Sequence, residues 1–511
     1  MMEPSNLISL KRPTPGLKMT KRRDFVKAAT ASVAIPYIWT ASHAKAQDKN
    51  DKPTVASIGV GGSRGRYNRG GSIAMSASRI GRTIAVCDVD KKHTSEFSHK
   101  KEFGGKLNEY VDYRELLEKE KPEVVTIGTP DHWHVPIAIA ALRSGADVYC
   151  EKPLTLTIDE GIQVGKVVKE TGRVFQVGTQ QRTENGRNFL KAIALVHLGF
   201  LGDQVNSHVA IGGAPGNGPF ESTDIPEGLD WDFWVGPAGK ADYCVERRKQ
   251  FRWYLEYSGG KMTDWGAHHI DIAQWAMGKS ATSPVEINGA GKFGKVVPEK
   301  FDFGAYFEGK ASLENGFNAA TEFHIDLKFD DGSVMNVNHH YKSDDGKTDF
   351  GNGILFMGSK GRIFVNRGKL TGKPVENLTN EDKVKVDEYI AKTLYKGQRL
   401  QNHMTNFFDC IESREDPVSD VYSHHRTMTS CHMCNISLML GRSLRYDPKS
   451  EVFLGDDQKN ALTNLKNQQQ QQLTVTDKLT QLWQSIILDI SQLSLAVTFP
   501  KEQGNANVLG N

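Results

Sequence analysis

Thr54-Val55-Ala56-Ser57-Ile58-Gly59-Val60-Gly61-Gly62-Ser63-Arg64-Gly65 is the stretch on which the fold turns. Its first five residues read as a buried strand, and the glycines follow at once. Glycine permits a tight turn and close backbone approach to a pyrophosphate at a helix N-terminus. With Gly59, Gly61 and Gly65 in use and Gly62 beside them, the spacing is one residue longer than G-x-G-x-x-G. A plain turn also explains a glycine cluster, so the surrounding elements decide. Gly70 and Gly71 are expected to loosen the helix that follows.

Working outward, Thr83 to Cys87 is a second strand that ends at Asp88, 29 residues beyond Gly59. A carboxylate there can accept both adenosine ribose hydroxyls and would repel a 2′-phosphate, which favours NAD over NADP. The competing reading is a helix N-cap. Glu123 to Gly128 is another strand, running into Thr129-Pro130-Asp131-His132-Trp133-His134 and a helix over 135–144 that Gly145 ends. Asp147 to Cys150 then carries Glu151-Lys152-Pro153. A strand that stops on a charged pair and a proline delivers those charges to the sheet's carboxyl edge, where ligands sit. Lys152 is therefore the first candidate for chemistry. With Val174 to Gly178 the βα alternation predicts a parallel, doubly wound α/β sheet over 53–180.

The glycine turn, Asp88, Thr129 to His134 and Glu151-Lys152-Pro153 together resemble the Gfo/Idh/MocA oxidoreductases, over roughly 54–453. The resemblance implies a Rossmann domain, a nicotinamide cofactor and a sugar, cyclitol or related polyol as substrate. It sets Lys152 beside nicotinamide and substrate, and adds Thr129, Pro130, His134 and Glu151 to Gly59, Gly61, Gly62, Gly65 and Asp88 as cofactor contacts.

A second domain is expected over 181–455, with a helix from Gly186 to His197 and a strand around Val205 to Ile211. Gly212 to Lys240 is a long loop, of the kind that covers surfaces or serves function. Trp231, Trp234, Trp253, Tyr254 and Tyr257 could stack on sugar faces or pack a core. Lys261 to Gly278 reads as one helix on which Asp264 and His268 are i, i+4 and share a face, with His269 rotated away. A histidine beside a carboxylate can take a proton near neutral pH; a cap by Asp264 with a buried structural histidine fits equally. The family's Asp-x-x-x-His pair matches Asp264 and His268, which implies catalysis. No third ligand joins Asp264, His268, His269 and Asp271 at a metal-binding spacing. Thr321 to Phe329, Ser333 to His339, Ile354 to Gly358 and Arg362 to Val365 alternate as strands, and Asp331-Gly332 signals a hairpin. An α+β domain with an open, largely antiparallel sheet follows, which the resemblance associates with substrate sites and homo-oligomer contacts. His424, His425, Cys431, His432 and Cys434 lie on an amphipathic helical pattern and read as packing.

The 511 residues carry 64 basic against 61 acidic side chains, too even for a nucleic-acid protein. Six scattered cysteines make no disulfide framework. Residues 1–46 read as a targeting segment: Lys21-Arg22-Arg23-Asp24-Phe25, an apolar run too short to span a bilayer, then Ala44-Lys45-Ala46. They resemble a twin-arginine signal, which implies export by that machinery to the periplasm. A disordered basic leader is the alternative. Residues 456–511 read as a glutamine-rich linker and an amphipathic helical tail.

The expectation is an exported NAD-dependent dehydrogenase acting on a secondary hydroxyl of a sugar, glycoside or cyclitol. Lys152, Asp264 and His268 would be its catalytic residues. A redox-neutral glycosidase that oxidises its sugar transiently is the first alternative. A non-catalytic carbohydrate- or cofactor-binding protein is the second.

Overall fold

The computed structural model describes residues 52–455 other than 66, 67, 104 and 106. The leader over 1–46 and the tail over 456–511 lie outside the described residues.

Six strands form the first sheet: β1 (Thr54–Ile58), β2 (Arg82–Cys87), β3 (Asn108–Tyr110), β4 (Val124–Ile127), β5 (Asp147–Cys150) and β6 (Phe175–Val177). All are parallel, in the order β3-β2-β1-β4-β5-β6. β4 and β5 are buried along their whole length, as strands covered on both faces must be. Helices α1 (Arg69–Ser78), α2 (Lys91–Ser98), α3 (Tyr113–Glu120), α4 (His134–Arg143) and α5 (Ile158–Thr171) make the crossovers. Local chemistry sets their ends. Thr157 and Glu160 form a reciprocal capping box on α5, and left-handed Gly172 closes it. The strand order reverses between β1 and β4, which opens a crevice at their carboxyl ends.

The second sheet has nine strands, ordered β15-β14-β13-β7-β10-β9-β8-β16-β17. They are β7 (Val205–Ala210), β8 (Glu286–Phe293), β9 (Ala320–Lys328), β10 (Val334–Asn338), β13 (Gly353–Gly358), β14 (Gly361–Val365), β15 (Leu370–Thr371), β16 (Leu444–Asp447) and β17 (Val452–Phe453). Two short strands, β11 (Tyr341–Lys342) and β12 (Asp349–Phe350), pair separately. Only β7 and β10 pair in parallel; the other pairs are antiparallel. The Asp331-Gly332 turn joins β9 to β10, with Gly332 at φ 83.

Helix α6 spans Asn188–His197 and starts two residues later than expected, because Gly186 and Arg187 are both left-handed. The expected helix over 261–278 is two: α7 (Gly260–Asp264) and α8 (Gly266–Ala276), separated by Trp265. Two further helices, α9 (His403–Ser413) and α10 (Val421–Leu440), precede β16 and β17. α6, α8 and α10 cover the nine-stranded sheet in one core with Ile193, Ile270, Ile325 and Met428. α9 instead returns to the first sheet, packing Met404, Phe407 and Phe408 against Val55, Val124 and Tyr149. His403 Nε2 meets the Val177 carbonyl at 2.7 Å. The nucleotide-type sheet is thus completed by an element more than 200 residues away from its last strand, a contact no domain boundary near 180 anticipates.

Candidate active site

The glycine segment runs from β1 to α1. Gly59 has φ 76 and Gly61 φ 61, which L side chains rarely adopt. Gly65 closes a turn on the Gly62 carbonyl at 3.0 Å. The closest approach belongs to Gly70: a Cβ there would stand 1.8 Å from the Gly59 carbonyl oxygen. One on Gly128 would stand 2.4 Å from Gly70 Cα. Gly70 and Gly71 therefore do not loosen α1. Gly70 lets the helix's first turn press against the ends of β1 and β4, and Gly71 makes room for the capping Asn68, whose Oδ1 accepts the Gly71 amide at 3.1 Å.

Asp88 Oδ2 accepts from the Gly61 amide at 2.9 Å and Oδ1 from the Asp90 amide at 3.0 Å. The N-cap of α2 is Asp90, whose carboxylate takes the Lys92 amide. Asp88 is thus free of capping and faces a cleft also lined by Gly59, Gly61, Gly65, Thr129 and Pro130. The Thr129 hydroxyl is buried there without a partner. Glycine backbone, a carboxylate held at the end of β2 by the Gly61 and Asp90 amides and an unspent hydroxyl fit a dinucleotide.

Arg69, Gly128, Thr129 and Arg252 also line a second cavity, of about 430 Å³. Glu151, Lys152, Asp264 and His268 face it together. Lys152 Nζ donates to Asp264 Oδ1 at 2.6 Å and to its backbone carbonyl at 2.9 Å. Arg252 Nε stands 3.5 Å from the same Oδ1. Burial alone would raise the Asp264 carboxyl, but Lys152 and Arg252 outweigh it and hold the group down at about 2. Glu151 accepts from Arg69 Nε at 2.8 Å and Gln180 Nε2 at 2.9 Å. Burial pushes His268 well below the ordinary histidine range, with Lys152 and Arg367 adding to the effect. Its Nδ1 is buried without a hydrogen-bond partner.

Residues 54–179 match a protein family described as oxidoreductase, NAD-binding Rossmann fold. Residues 214–293 and 370–473 match the C-terminal alpha/beta domain of the same family. The chain belongs to the Gfo/Idh/MocA oxidoreductases. Among curated relatives it is similar to an alpha-N-acetylgalactosaminidase from Shewanella oneidensis, 31% identical over 100 residues, covering 20% of this chain and 21% of that protein. A glycosyl hydrolase family 109 protein from Shewanella pealeana is 31% identical over 98 residues, 19% of this chain and 21% of the relative. The chain thus spans about a fifth of the length of these relatives. Among solved structures, the WlbA dehydrogenase of Bordetella pertussis, complexed with NADH and UDP-GlcNAcA, aligns with TM-score 0.52 at 13% identity, over 78% of this chain and 99% of that one. An NAD-binding protein from Listeria innocua aligns with TM-score 0.51 at 17% identity, over 77% and 97%.

Within this Gfo/Idh/MocA chain the expected site residues fall in two places. Gly59, Gly61, Gly65, Asp88, Thr129 and Pro130 line the glycine cleft, while Lys152, Glu151, Asp264, His268 and His134 line the second cavity. Gly62 packs under α2, where a Cβ would meet Glu96 and His93. His134 spends both ring nitrogens on the backbone, at 2.8 Å from the Pro153 carbonyl and 3.0 Å from that of Thr129. It clamps the loop after β4 to the loop after β5. The expected Asp264–His268 partnership is not made. Asp264 ends α7 before Trp265, and its carboxylate goes to the stronger cationic partners instead. His269 does turn away, to Gln181 and Asn352. Asp271 pairs with Arg182 at 2.6 Å.

Of the five flagged aromatics only Trp253 lines the cavity. Trp231 stacks on Trp234 with centroids 4.6 Å apart, and Tyr254 and Tyr257 join the same buried cluster. His425 bonds Glu451 and His432 faces Thr155, in keeping with helix packing. Sequence reasoning missed Arg69, Asp131, Arg252 and Arg367, which reach the cavity from four separate loops or helix starts. Only Asp131, inside a quoted motif, carried a local signal.

Proposed function

We propose that the protein is an NAD-dependent dehydrogenase that oxidises a secondary hydroxyl of a sugar, glycoside or cyclitol. One observation carries this reading: Lys152 is anchored on Asp264 in the same cavity as a buried, uncharged His268, and that cavity shares Thr129 with the glycine cleft. The glycine turn, Asp88 and Thr129 would hold NAD, which when bound would supply the hydride acceptor for oxidation of carbinol to carbonyl. An ammonium group has three donors. Asp264 takes two from Lys152, which leaves one for the substrate oxygen. That donor stabilises the negative charge developing on oxygen. His268, neutral because burial disfavours its cation, accepts the hydroxyl proton. Asp264 holds Lys152 in place and balances its charge.

The first test is to denature purified protein and ask by mass spectrometry whether a nicotinamide nucleotide is released, then to follow NADH absorbance against polyols and glycosides. Stoichiometric NADH on one polyol supports the dehydrogenase. The similarity to an alpha-N-acetylgalactosaminidase favours a second reading, redox-neutral cleavage with the hydride returned. Free sugar released without NADH accumulation selects it. We also propose export through the twin-arginine leader and assembly as a homo-oligomer. Replacing Arg22 and Arg23 by lysine should retain the protein in the cytoplasm, and light scattering should give a mass above one chain.

A further inference from the structure

Arg367 lines the same cavity as Lys152 and has no part in the proposed hydride and proton transfer. Arg367 sits in the turn between β14 and β15, where Asn366 Oδ1 accepts the Gly368 and Lys369 amides at 3.0 Å each and fixes the turn. Its guanidinium lies 4.5 Å from the centroid of the Trp265 ring. Trp265 stands in the chain between Asp264 and His268, so the stack brings a charge into the cavity that both residues line.

Of the cavity's carboxylates, Glu184 attracts Arg367 without reaching ion-pair distance, and the other three have partners of their own. Asp264 serves Lys152 and Arg252, Glu151 serves Arg69, and Asp131 accepts from Ser258. Among the described residues no carboxylate lies within ion-pair distance of Arg367. Lys261 lines the same wall, with Nζ 5.3 Å from the Trp253 ring centroid. Trp253 is 8% exposed, and its indole N–H is buried with no partner. Burial, with Arg69 adding to it against the pull of Asp264 and Glu184, lowers the Arg367 guanidinium, a penalty that an arriving anion relieves.

We infer that the substrate is an acidic sugar: a polyol ring bearing a carboxylate, whose anion is received by Arg367 while its reacting hydroxyl faces Lys152 and His268. A guanidinium fork matches a planar carboxylate through two parallel hydrogen bonds. This rests on the proposed sugar-oxidising site and narrows its substrate class.

The test is calorimetric binding to full-length protein of glucuronate, galacturonate and mannuronate, each against its own methyl ester, which keeps the shape and removes the charge. At least one acid should bind about tenfold or more tightly than its ester, and less so as salt rises. Arg367→Gln should abolish the preference and leave ester binding unchanged, while Arg367→Lys should keep part of it. Equal binding of acids and esters overturns the inference, as does a panel in which no acid binds or in which only sugar phosphates do. So does Arg367→Gln weakening acid and ester alike. NAD titration on the same samples separates the two failures. Without NAD binding the oxidoreductase reading falls, whereas NAD binding without acid preference removes only the acidic substrate.

Discussion

Gly70→Ala tests whether α1 is held against the nucleotide cleft as the glycine geometry requires. The new methyl would sit 1.8 Å from the Gly59 carbonyl oxygen and 3.1 Å from that of Gly128. Both neighbours are backbone, so the helix or the turn must retreat by more than an ångström. Overpacking a tight contact costs roughly 1–3 kcal/mol, and with no side chain able to yield the upper end applies. At about 2–4 °C per kcal/mol for a domain of 150–250 residues, the melting temperature should fall by roughly 10 °C. The same retreat spoils the cleft, so NAD should no longer stabilise the variant. For wild type, ligand at a hundred times its Kd adds about 2.7 kcal/mol. Gly165→Ala is the matched control. It lies inside α5, its new Cβ would meet only the Tyr422 ring at 3.5 Å, and alanine gains up to about 1 kcal/mol over glycine in a helix. Melts with and without NAD should therefore move in opposite directions for the two variants. If Gly70→Ala melts within a degree of wild type and still responds to NAD, the close packing assigned to Gly70 is wrong.

Lys152→Ala should cut kcat by about 10²–10³-fold, the usual loss for one donor to a developing oxyanion, with NAD binding retained; unchanged turnover would remove Lys152 from the mechanism. Asp264→Asn removes the partner of Lys152 and Arg252, and should lower stability at neutral pH by about 2–3 kcal/mol in urea unfolding. The Asp264 carboxyl is held at about 2, below its unfolded value, so its stabilisation is present above about pH 4 and is lost as pH falls toward 2. The difference between wild type and Asp264→Asn should shrink across that interval. Because His268 is pushed down, the acid limb of kcat/KM should lie below the ordinary histidine value of about 6.5, and a limb at or above it would exclude His268 as the acceptor.

Much of this was legible in the chain because the signals are local. A strand, a glycine turn and a terminal acid can be read from consecutive residues, and β1 and β5 fall where the apolar runs place them. β3 was not anticipated, since three residues paired only along one edge leave little pattern. Gly70 was misread because its value lies in what approaches it, the Gly59 carbonyl and Gly128, and spacing says nothing of approach. The same holds for the cavity wall. Arg252 precedes Trp253 in a loop and Arg367 sits in a hairpin turn, so neither has a motif that marks it.

The pairing of Asp264 explains how the cavity divides its chemistry. Helical spacing alone offered the carboxylate to His268, and such a pair would have raised the histidine toward a stable cation. Instead Asp264 neutralises Lys152, which keeps the ammonium in the site, while His268 is left beside that positive charge with an unpartnered Nδ1. Under the proposed mechanism this separates two tasks that a single carboxylate–histidine pair would merge. Lys152 stabilises charge on the substrate oxygen without giving up a proton. His268 takes the proton only while the oxygen still carries developing negative charge to offset Lys152. Once the carbonyl has formed, that offset is gone, and the buried imidazolium is repelled by the Lys152 ammonium. Its proton then leaves the site readily, so the acceptor is regenerated neutral for the next turnover.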